Sequence, residues 1–584
     1  MAACHPFLSP VALSKTLSPL TVGHALALAL PHAWAQVLQR VQALALEHTR
    51  VLALRHARAL ALALIGLPAM AAPALAPAAQ DPAVAGAALY ERGLTISGAP
   101  LQGRREGGAE LAGAEAACTG CHRRSGLGTF EGAVRVPPVA WRLLAHSGDE
   151  IAADRTAVHV LGAQSHRPAY APSSFARALR EGIGADGRTL SWVMPRYTLT
   201  DEDLAALQAY LATLAAAPTS GSADGQLYFA MVVTPDADPI ASAAAVAVIE
   251  RTFADHNSEF GGHGLGNGRD TANLDIARLW RLEVWRLSGP PHDWPAQLAR
   301  AYAARPVFAL VGGLGGDWSV IADFCEGRHL PAILPSAAAP PARTDAFYTL
   351  YFHRGVRLEA DLLAEALRAE PERHPVEQVY RPDSAGAVAA ATLRAALGPD
   401  WPVIDRPLPS SAGLHAAGPA PWRVLWLTAQ DLPAWQQDAS YARTYLSGSL
   451  LADSLISDAP ALSGWSARTY LLYPWEVPER RRIPMNFPLG WLHSKQQAVV
   501  RERVQTDAWL VGQILSAALA DLQDAYYGEY LVERVESLLG HRLGNGHYPR
   551  LALAPGQRFA SKGAYVLQWT AEGNWKPDGS WKIP

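Results

Sequence analysis

The sequence predicts a multidomain protein: a small N-terminal domain with helical patterning, followed by a two-lobed α/β domain. Three observations predict it. Between about residues 83 and 217, apolar residues recur at helical spacing on both sides of a Cys-x-x-Cys-His motif. From residue 226 onward, short apolar runs alternate with helical patterns, and the alternation is run through twice, the order that builds parallel sheets. Between the two parts lies a stretch of small residues with Pro, Ser and Gly, Ala215 to Gly225. The expected boundaries are 1–82 for an N-terminal extension with a signal-like segment and an Ala/Pro linker, 83–217 for the domain that carries the Cys-x-x-Cys-His motif, 218–225 for a linker, and 226–584 for the two lobes.

A chain of 584 residues has room for two to four domains. Its net charge of −3, with no basic tail and no interleaving of basic and aromatic residues, gives no sign of a nucleic-acid partner. Four cysteines are too few for a disulfide scaffold.

Taken in order, residues 1 to about 50 are rich in Ala, Leu and His without a regular pattern. Arg55, His56 and Arg58 then precede an apolar run from Ala59 to Leu67, and Ala69-Met70-Ala71 places small residues at −3 and −1 of a cleavage site after Ala71. The apolar run is too short to span a bilayer comfortably. Export to the periplasm is expected, with the first fifty residues read as an over-extended translation start. The alternative is a genuine extension or an uncleaved signal, which would leave a membrane anchor. Ala72 to Ala85 reads as the linker. A first helix is carried by Ala88, Leu89, Tyr90 and Leu94, and a glycine-rich loop from Gly103 to Gly113 leads into the motif.

Cys118-Thr119-Gly120-Cys121-His122 has the two thiols and the adjacent imidazole that covalent haem attachment needs. Each thiol adds to a porphyrin vinyl group, and His122 then lies under the iron as axial ligand. A zinc site needs further ligands at comparable spacing, and Cys4 and Cys325 are distant. A redox dithiol belongs in a βαβ pattern, which is missing here. Of the five methionines, Met194 alone lies between His122 and the next domain. It is followed by Pro195, by Thr200 as an N-cap, and by Asp201, Glu202 and Asp203 at the positive end of a helix carrying Leu204, Leu207, Tyr210 and Leu211. His146, His159 and His166 are the competing distal ligands and read as ordinary histidines.

These residues resemble the class I cytochrome c family, over roughly residues 83 to 217. The resemblance implies a small all-helical domain with one covalent haem c on Cys118 and Cys121, His122 as proximal and Met194 as distal iron ligand, and a raised potential suited to electron transfer. The long insert between the motif and Met194 departs from the family pattern.

In the remainder, strands are expected at Leu227–Val233, Leu282–Leu287, Val307–Val311 and Pro331–Leu334, with helices at Ala241–Phe253, Trp294–Ala304 and about Trp318–Glu326. A second set has the apolar run Tyr348–Phe352, strands at Val376–Tyr380, Val424–Leu427 and Tyr445–Ser449, and helices at Leu358–Leu367 and Ser384–Leu397. The helix Thr506–Leu522 and the strand Ala564–Trp569 are expected to return to the first lobe. Gly262–Gly268 fits a loose GxGxG pattern but follows a helix, which argues against a dinucleotide site. Cys325 reads as a buried small residue, Arg480 to Arg482 as a solvated loop, and Trp422, Trp426 and Trp435 as core.

The order of elements, the strand LYFAMVVTPDAD, the loop FALVGGLGGDWS and the segment LPAILPSA resemble the type I periplasmic solute-binding proteins, the branched-chain amino acid and amide binders of ABC transporters. The resemblance covers about 226 to 570. It implies a cleft lined by Gly313 to Ser319 and Ser336 to Ala338, with Gly313, Gly315, Asp317, Ser319 and Ser336 as candidate ligand-cleft residues. Backbone N–H groups at a helix N-terminus there suit an anion, Asp317 would repel a carboxylate, and the glycines serve equally well as turn formers.

Taken together, the sequence implies an exported cytochrome c carrying one haem. It would be an electron carrier rather than a catalyst, passing electrons between a donor dehydrogenase and an acceptor cytochrome or oxidase. The solute-binding-like module would dock a partner or bind a gating small molecule. The alternatives are a solute receptor of ABC-transporter type with haem as redox sensor or accessory, and a haem enzyme of peroxidase kind, which needs an open iron position.

Overall fold

The computed structural model describes residues 81–584 apart from 132–133, 154–165, 217–219, 224, 262–277, 344, 409–421, 436–440, 452–464, 523–524, 540–545 and 555. The signal-like segment, His159 and Gly262–Gly268 lie outside the described residues.

The N-terminal module opens with α1 (Pro82–Arg92). Asp81 caps it by accepting from the Ala83 N–H at 3.0 Å, and Gly93 closes it in the left-handed conformation. The glycine-rich loop is not irregular: it forms a hairpin of β1 (Gln102–Arg104) and β2 (Glu110–Ala112), turned by Gly107 and Gly108 at positive φ. The motif supplies α2 (Thr119–His122), followed by the ribbon β3 (Thr129–Glu131) and β4 (Val134–Val136). Then come α3 (Trp141–Leu144), α4 (Gly148–Ala153) and α5 (Pro172–Glu181). β5 (Arg196–Thr198) pairs with β1, and α6 (Asp201–Thr213) ends the module. The expectation of an all-α domain is therefore corrected, because a three-stranded antiparallel sheet, β2-β1-β5, joins the helices. Pro195 cannot continue a helix from the Met194 loop, and the chain after it runs extended along β1 instead. Thr200 caps α6 as expected, in a reciprocal pair with Asp203. α1 and α6 cross at Gly86, where a Cβ would lie 2.0 Å from the Ala206 carbonyl oxygen.

The first lobe begins with β6 (Ser222–Ala223), antiparallel to β7 (Gln226–Val233), so part of the expected linker is strand. α7 (Pro239–Gly261), β8 (Leu279–Arg286), α8 (Trp294–Ala304), β9 (Ala309–Val311), β10 (Leu314–Asp317), α9 (Ser319–Arg328), β11 (Ala332–Ile333), β12 (Ser336–Ala339) and β13 (Thr349–Leu350) follow. β8, β7, β9, β11 and β13 lie side by side and parallel, which is the doubly wound order 2-1-3-4-5. The cleft residues expected in loops form an added edge: β10 pairs with β7 at a single position and with β12 along its length.

The second lobe contains α10 (Val356–Arg368), β14 (Val376–Tyr380), α11 (Ala385–Leu397), β15 (Val403–Pro407), β16 (Trp422–Trp426), β17 (Thr444–Ser447), α12 (Gly448–Leu451) and β18 (Thr469–Tyr473). The parallel order β15-β14-β16-β17-β18 repeats 2-1-3-4-5. The chain then returns to the first lobe for α13 (Pro478–Ser494), α14 (Glu502–Leu522) and α15 (Gly528–Leu538). It crosses back to add β19 (Tyr565–Trp569) and β20 (Trp575–Pro577) antiparallel at the edge of the second sheet. The expected return of the last strand to the first lobe is thus corrected, while α14 does pack on α7 there. Arg480 to Arg482 sit in the first turn of α13 rather than in a loop, and Arg481 is buried.

One buried core runs from β7 through the crossings to β14, and it also takes in Leu127, Ala140, Leu143 and Ile151 of the N-terminal module. The two parts of the chain therefore share apolar interior.

Candidate functional site

The motif occupies a single helical turn that Cys118 opens and His122 ends, so Cys118 and Cys121 fall on adjacent positions of one face. His122 N–H donates to the Cys118 carbonyl at 2.9 Å. The His122 ring is buried, and its Nδ1 lies 3.0 Å from the Pro137 carbonyl oxygen. That carbonyl fixes the proton on Nδ1 and leaves Nε2 as a lone-pair donor. Burial lowers the imidazole pKa, which favours the neutral, ligating form. Burial and the neighbouring Cys121 push the Cys118 thiol up to about 12.

Cys118 and Met194 both pack against one apolar cluster that includes Tyr90, Leu101, Leu144, Phe175 and Tyr197. The Met194 N–H donates to the Ser191 carbonyl at 3.1 Å, and the Arg196 guanidinium donates to the carbonyls of Met194 at 2.5 Å and Leu190 at 3.2 Å. Arg196 lies over Gly182, where a Cβ would collide with it. The loop is thus held from both sides. Tyr197, three residues on, has its phenol pKa raised by burial and then by Cys118 and Cys121, so it lies beside the thiols. His146 is exposed, and His166 is exposed and paired with Asp149 at 2.6 Å.

These residues fit a haem. Cys118 and the Met194 thioether border an apolar wall, the neutral His122 imidazole lies four residues from Cys118 on the same turn, and the buried Arg105 Nε close to Tyr197 has no hydrogen-bond partner, as a guanidinium awaiting a porphyrin carboxylate would. Among the described residues, no three or more His, Cys, Asp and Glu side chains cluster to hold a bare metal ion. The sequence did not point to Pro137 or Arg196. The only available signal was the Val-Pro-Pro run after the motif and an arginine two residues past Met194.

The second candidate lies at the carboxyl ends of the first-lobe strands, at the switch point between β7 and β9. Gly313 has φ +122, and a Cβ on it would lie 2.6 Å from the Trp318 ring. On Gly315 a Cβ would lie 2.2 Å from Thr234 Oγ1. Close packing thus accounts for both glycines. Asp317 Oδ1 accepts from the Ser319 N–H at 2.9 Å and from Ser319 Oγ at 2.6 Å, so these two side chains bond to each other at the start of α9. The Ser336 N–H donates to the Gly313 carbonyl at 2.8 Å. Gly313 and Ser336 line a cavity with Met231, Leu334 and Asp507, with room for about one water.

Asp507 ties this cavity to a buried cluster at the crossings that the sequence did not reveal. It accepts from Arg503 at 3.1 Å and from the Tyr548 hydroxyl at 3.3 Å. Arg503 lies 4.9 Å over the Trp475 ring, and His353 packs edge-on against Trp475 at 5.4 Å. Burial and Arg503 hold the His353 imidazole down at about 3. Arg503 and Asp507 come from α14, Tyr548 from the chain after α15, and His353 and Trp475 from two separate segments, so spacing along the chain gave no signal. Trp422, Trp426 and Trp435 are core, as expected.

Two doubly wound lobes of equal strand order, joined by three crossings, define a two-lobed α/β fold of the type I periplasmic-binding kind. No protein-family model matches the chain, and no curated protein matches it. Among solved structures, it is similar to a branched-chain amino acid ABC transporter protein from Thermus thermophilus with bound valine, at 12% identity and TM-score 0.46, covering 62% of this chain and 98% of that one. It is also similar to a fatty acid ABC transporter substrate-binding protein from Thermomonospora curvata, at 12% identity and TM-score 0.44, with 63% and 95% covered. A leucine-binding protein from Thermotoga maritima aligns at 10% identity and TM-score 0.43, with 60% and 98% covered. At such scores the fold rests on the strand orders and crossings.

Proposed function

We propose that the chain is an exported, haem-bearing protein of solute-binding type. The two-lobed part receives a small molecule at the facing strand ends, and the module at 83–217 holds one c-type haem. The observation that carries the haem assignment is His122, with Nδ1 committed to the Pro137 carbonyl and Nε2 open, set on the turn that bears Cys118 and Cys121. Cys118 and Cys121 would hold the porphyrin, and His122 and Met194 would supply the axial donors. When bound, the haem supplies one-electron transfer without bond-making to substrate. Pro137 keeps His122 in the ligating tautomer, Arg196 pins the Met194 loop, and the apolar cluster excludes water.

The two-lobed architecture favours a receptor in which the haem is a redox accessory, resembling neighbours whose names are those of ABC-transporter binding proteins. In the other arrangement the haem module is the working part, an electron carrier between a dehydrogenase and an acceptor cytochrome or oxidase, and the lobes serve for docking. The mutual satisfaction of Asp317 and Ser319 and the small cavity at Gly313 favour this second arrangement. A thermal-shift screen of purified protein against branched-chain amino acids, amides and fatty acids separates them. A saturable rise in Tm with one class supports the receptor, and no shift with any of them supports the carrier.

A further inference from the structure

The two arginines that follow the axial histidine both reach the chain crossings between the lobes. Arg123, held at φ +64 with its carbonyl accepting from the Tyr90 hydroxyl at 2.7 Å, is ion-paired with Glu536 on α15. The other oxygen of Glu536 is paired with Arg558. Arg558 donates to the Phe347 carbonyl at 2.6 Å, and its own carbonyl accepts from the Tyr351 N–H at 2.8 Å. Arg124 lies 5.0 Å over the Phe347 ring and 5.9 Å from that of Tyr348. Phe347 to Phe352 and Arg558 to Ser561 are the paired crossing segments, joined also by Ala560 N–H to the Tyr351 carbonyl at 2.9 Å and Ser561 N–H to the Phe352 carbonyl at 2.6 Å. The side chains of Arg123, Glu536 and Arg558 are 12%, 3% and 4% exposed. One carboxylate is therefore shared by two guanidiniums in a water-poor interior, one of them a single residue from the axial histidine and the other on the hinge.

We propose that Arg123, Glu536 and Arg558 couple the oxidation state of the haem-binding module to the firmness of the interlobe hinge. This rests on the haem assignment above and names the regulation of that site. A shared carboxylate divides its interaction between two cations, and a change in nearby positive charge redistributes it, with little screening inside the protein. The oxidised module carries one more positive charge than the reduced one. Oxidation draws Glu536 toward Arg123 and loosens its hold on Arg558, and reduction tightens that hold. The hinge is thus firmer in the reduced protein, and by reciprocity a small molecule that fixes the hinge shifts the midpoint potential.

The test is amide hydrogen exchange of the full chain, poised with dithionite or with ferricyanide, followed in peptides containing Tyr351 and Ala560–Ser561. Exchange several-fold faster in the oxidised protein is expected, with the difference lost in Glu536→Gln. Arg558→Lys keeps the charge but loses the fork that reaches both Glu536 and Phe347, and it serves if Glu536→Gln does not fold. Ser125→Ala, which removes a hydrogen bond to the neighbouring Glu533 but leaves the three charges in place, is expected to keep the difference. Equal exchange in both states of a haem-bearing protein, or a difference unchanged by Glu536→Gln and Arg558→Lys, overturns this inference alone. A chain that retains no haem after denaturation overturns the haem assignment and this inference with it.

Discussion

His122 has one ring nitrogen committed to a carbonyl and the other left to donate, and Met194 is held in a loop fastened by Arg196. Met194→Ala should therefore remove the weak far-red band of thioether-ligated ferric haem and open the iron to cyanide, as an absorption titration would record. An unchanged spectrum and no cyanide binding would place the sixth ligand elsewhere. A second residue-scale prediction concerns Glu359, fully buried and hydrogen-bonded by Ser447 and the Ser449 N–H. Burial outweighs those bonds and raises its carboxyl to about 7. Between the unfolded carboxyl's pKa and that value, the folded chain keeps a proton that the unfolded chain has released. The group's contribution is fully present at low pH and is lost as pH rises toward 7, by about 3 kcal/mol. Urea denaturation at pH 5 and pH 7.5 should show this fall in the wild type and a smaller one in Glu359→Gln. The motif residues and Met194 were open to reading as candidates in the sequence because their spacing is local. Glu359, Glu536 and Arg558 were not, because a charged residue in a helix or loop ordinarily signals solvent, and only the fold buries these.

At the scale of elements, local signals placed what they governed. Thr200 starts the helix it caps, Ser384 accepts from the Gly386 N–H at the start of α11, and α8 runs between its expected ends, whereas α1 begins at Pro82, inside the stretch expected to be linker, where Ala/Pro composition masked the Asp81 cap. Thr200→Ala should cost about 1 kcal/mol in urea melts, since it removes the cap of α6. Gly86→Ala forces a Cβ onto the Ala206 carbonyl and should cost about 1–3 kcal/mol by separating α1 from α6. An unchanged Tm in that variant would mean that the helices do not cross so closely. Three elements escaped the sequence for physical reasons. α13 carries Pro484 and Pro488 within it, which break the helical pattern. α15 buries Glu533, Arg534 and Glu536, which look like surface residues. β10 consists of Leu-Gly-Gly-Asp, and only pairing with β12 makes it a strand.

For the whole molecule, the alternation of strands and helices predicted two lobes, but it could not predict that the N-terminal module is built into them. Leu127, Ala140, Leu143 and Ile151 lie in the same core as β7, and Ser125 donates from N–H and Oγ to the buried Glu533 at 2.8 and 2.5 Å. The module and the first lobe should therefore unfold together. Melting followed by haem absorbance and by tryptophan fluorescence is expected to give one Tm, whereas two separated transitions would show independent domains. The account depends most on covalent haem at Cys118 and Cys121. The most direct measurement is the intact mass and visible spectrum of the chain purified from a host that matures c-type cytochromes, recorded after denaturation. One haem retained per wild-type chain, and none in the Cys118→Ala/Cys121→Ala variant, is the predicted result. A wild-type chain with the mass of the polypeptide alone and no Soret band would contradict it.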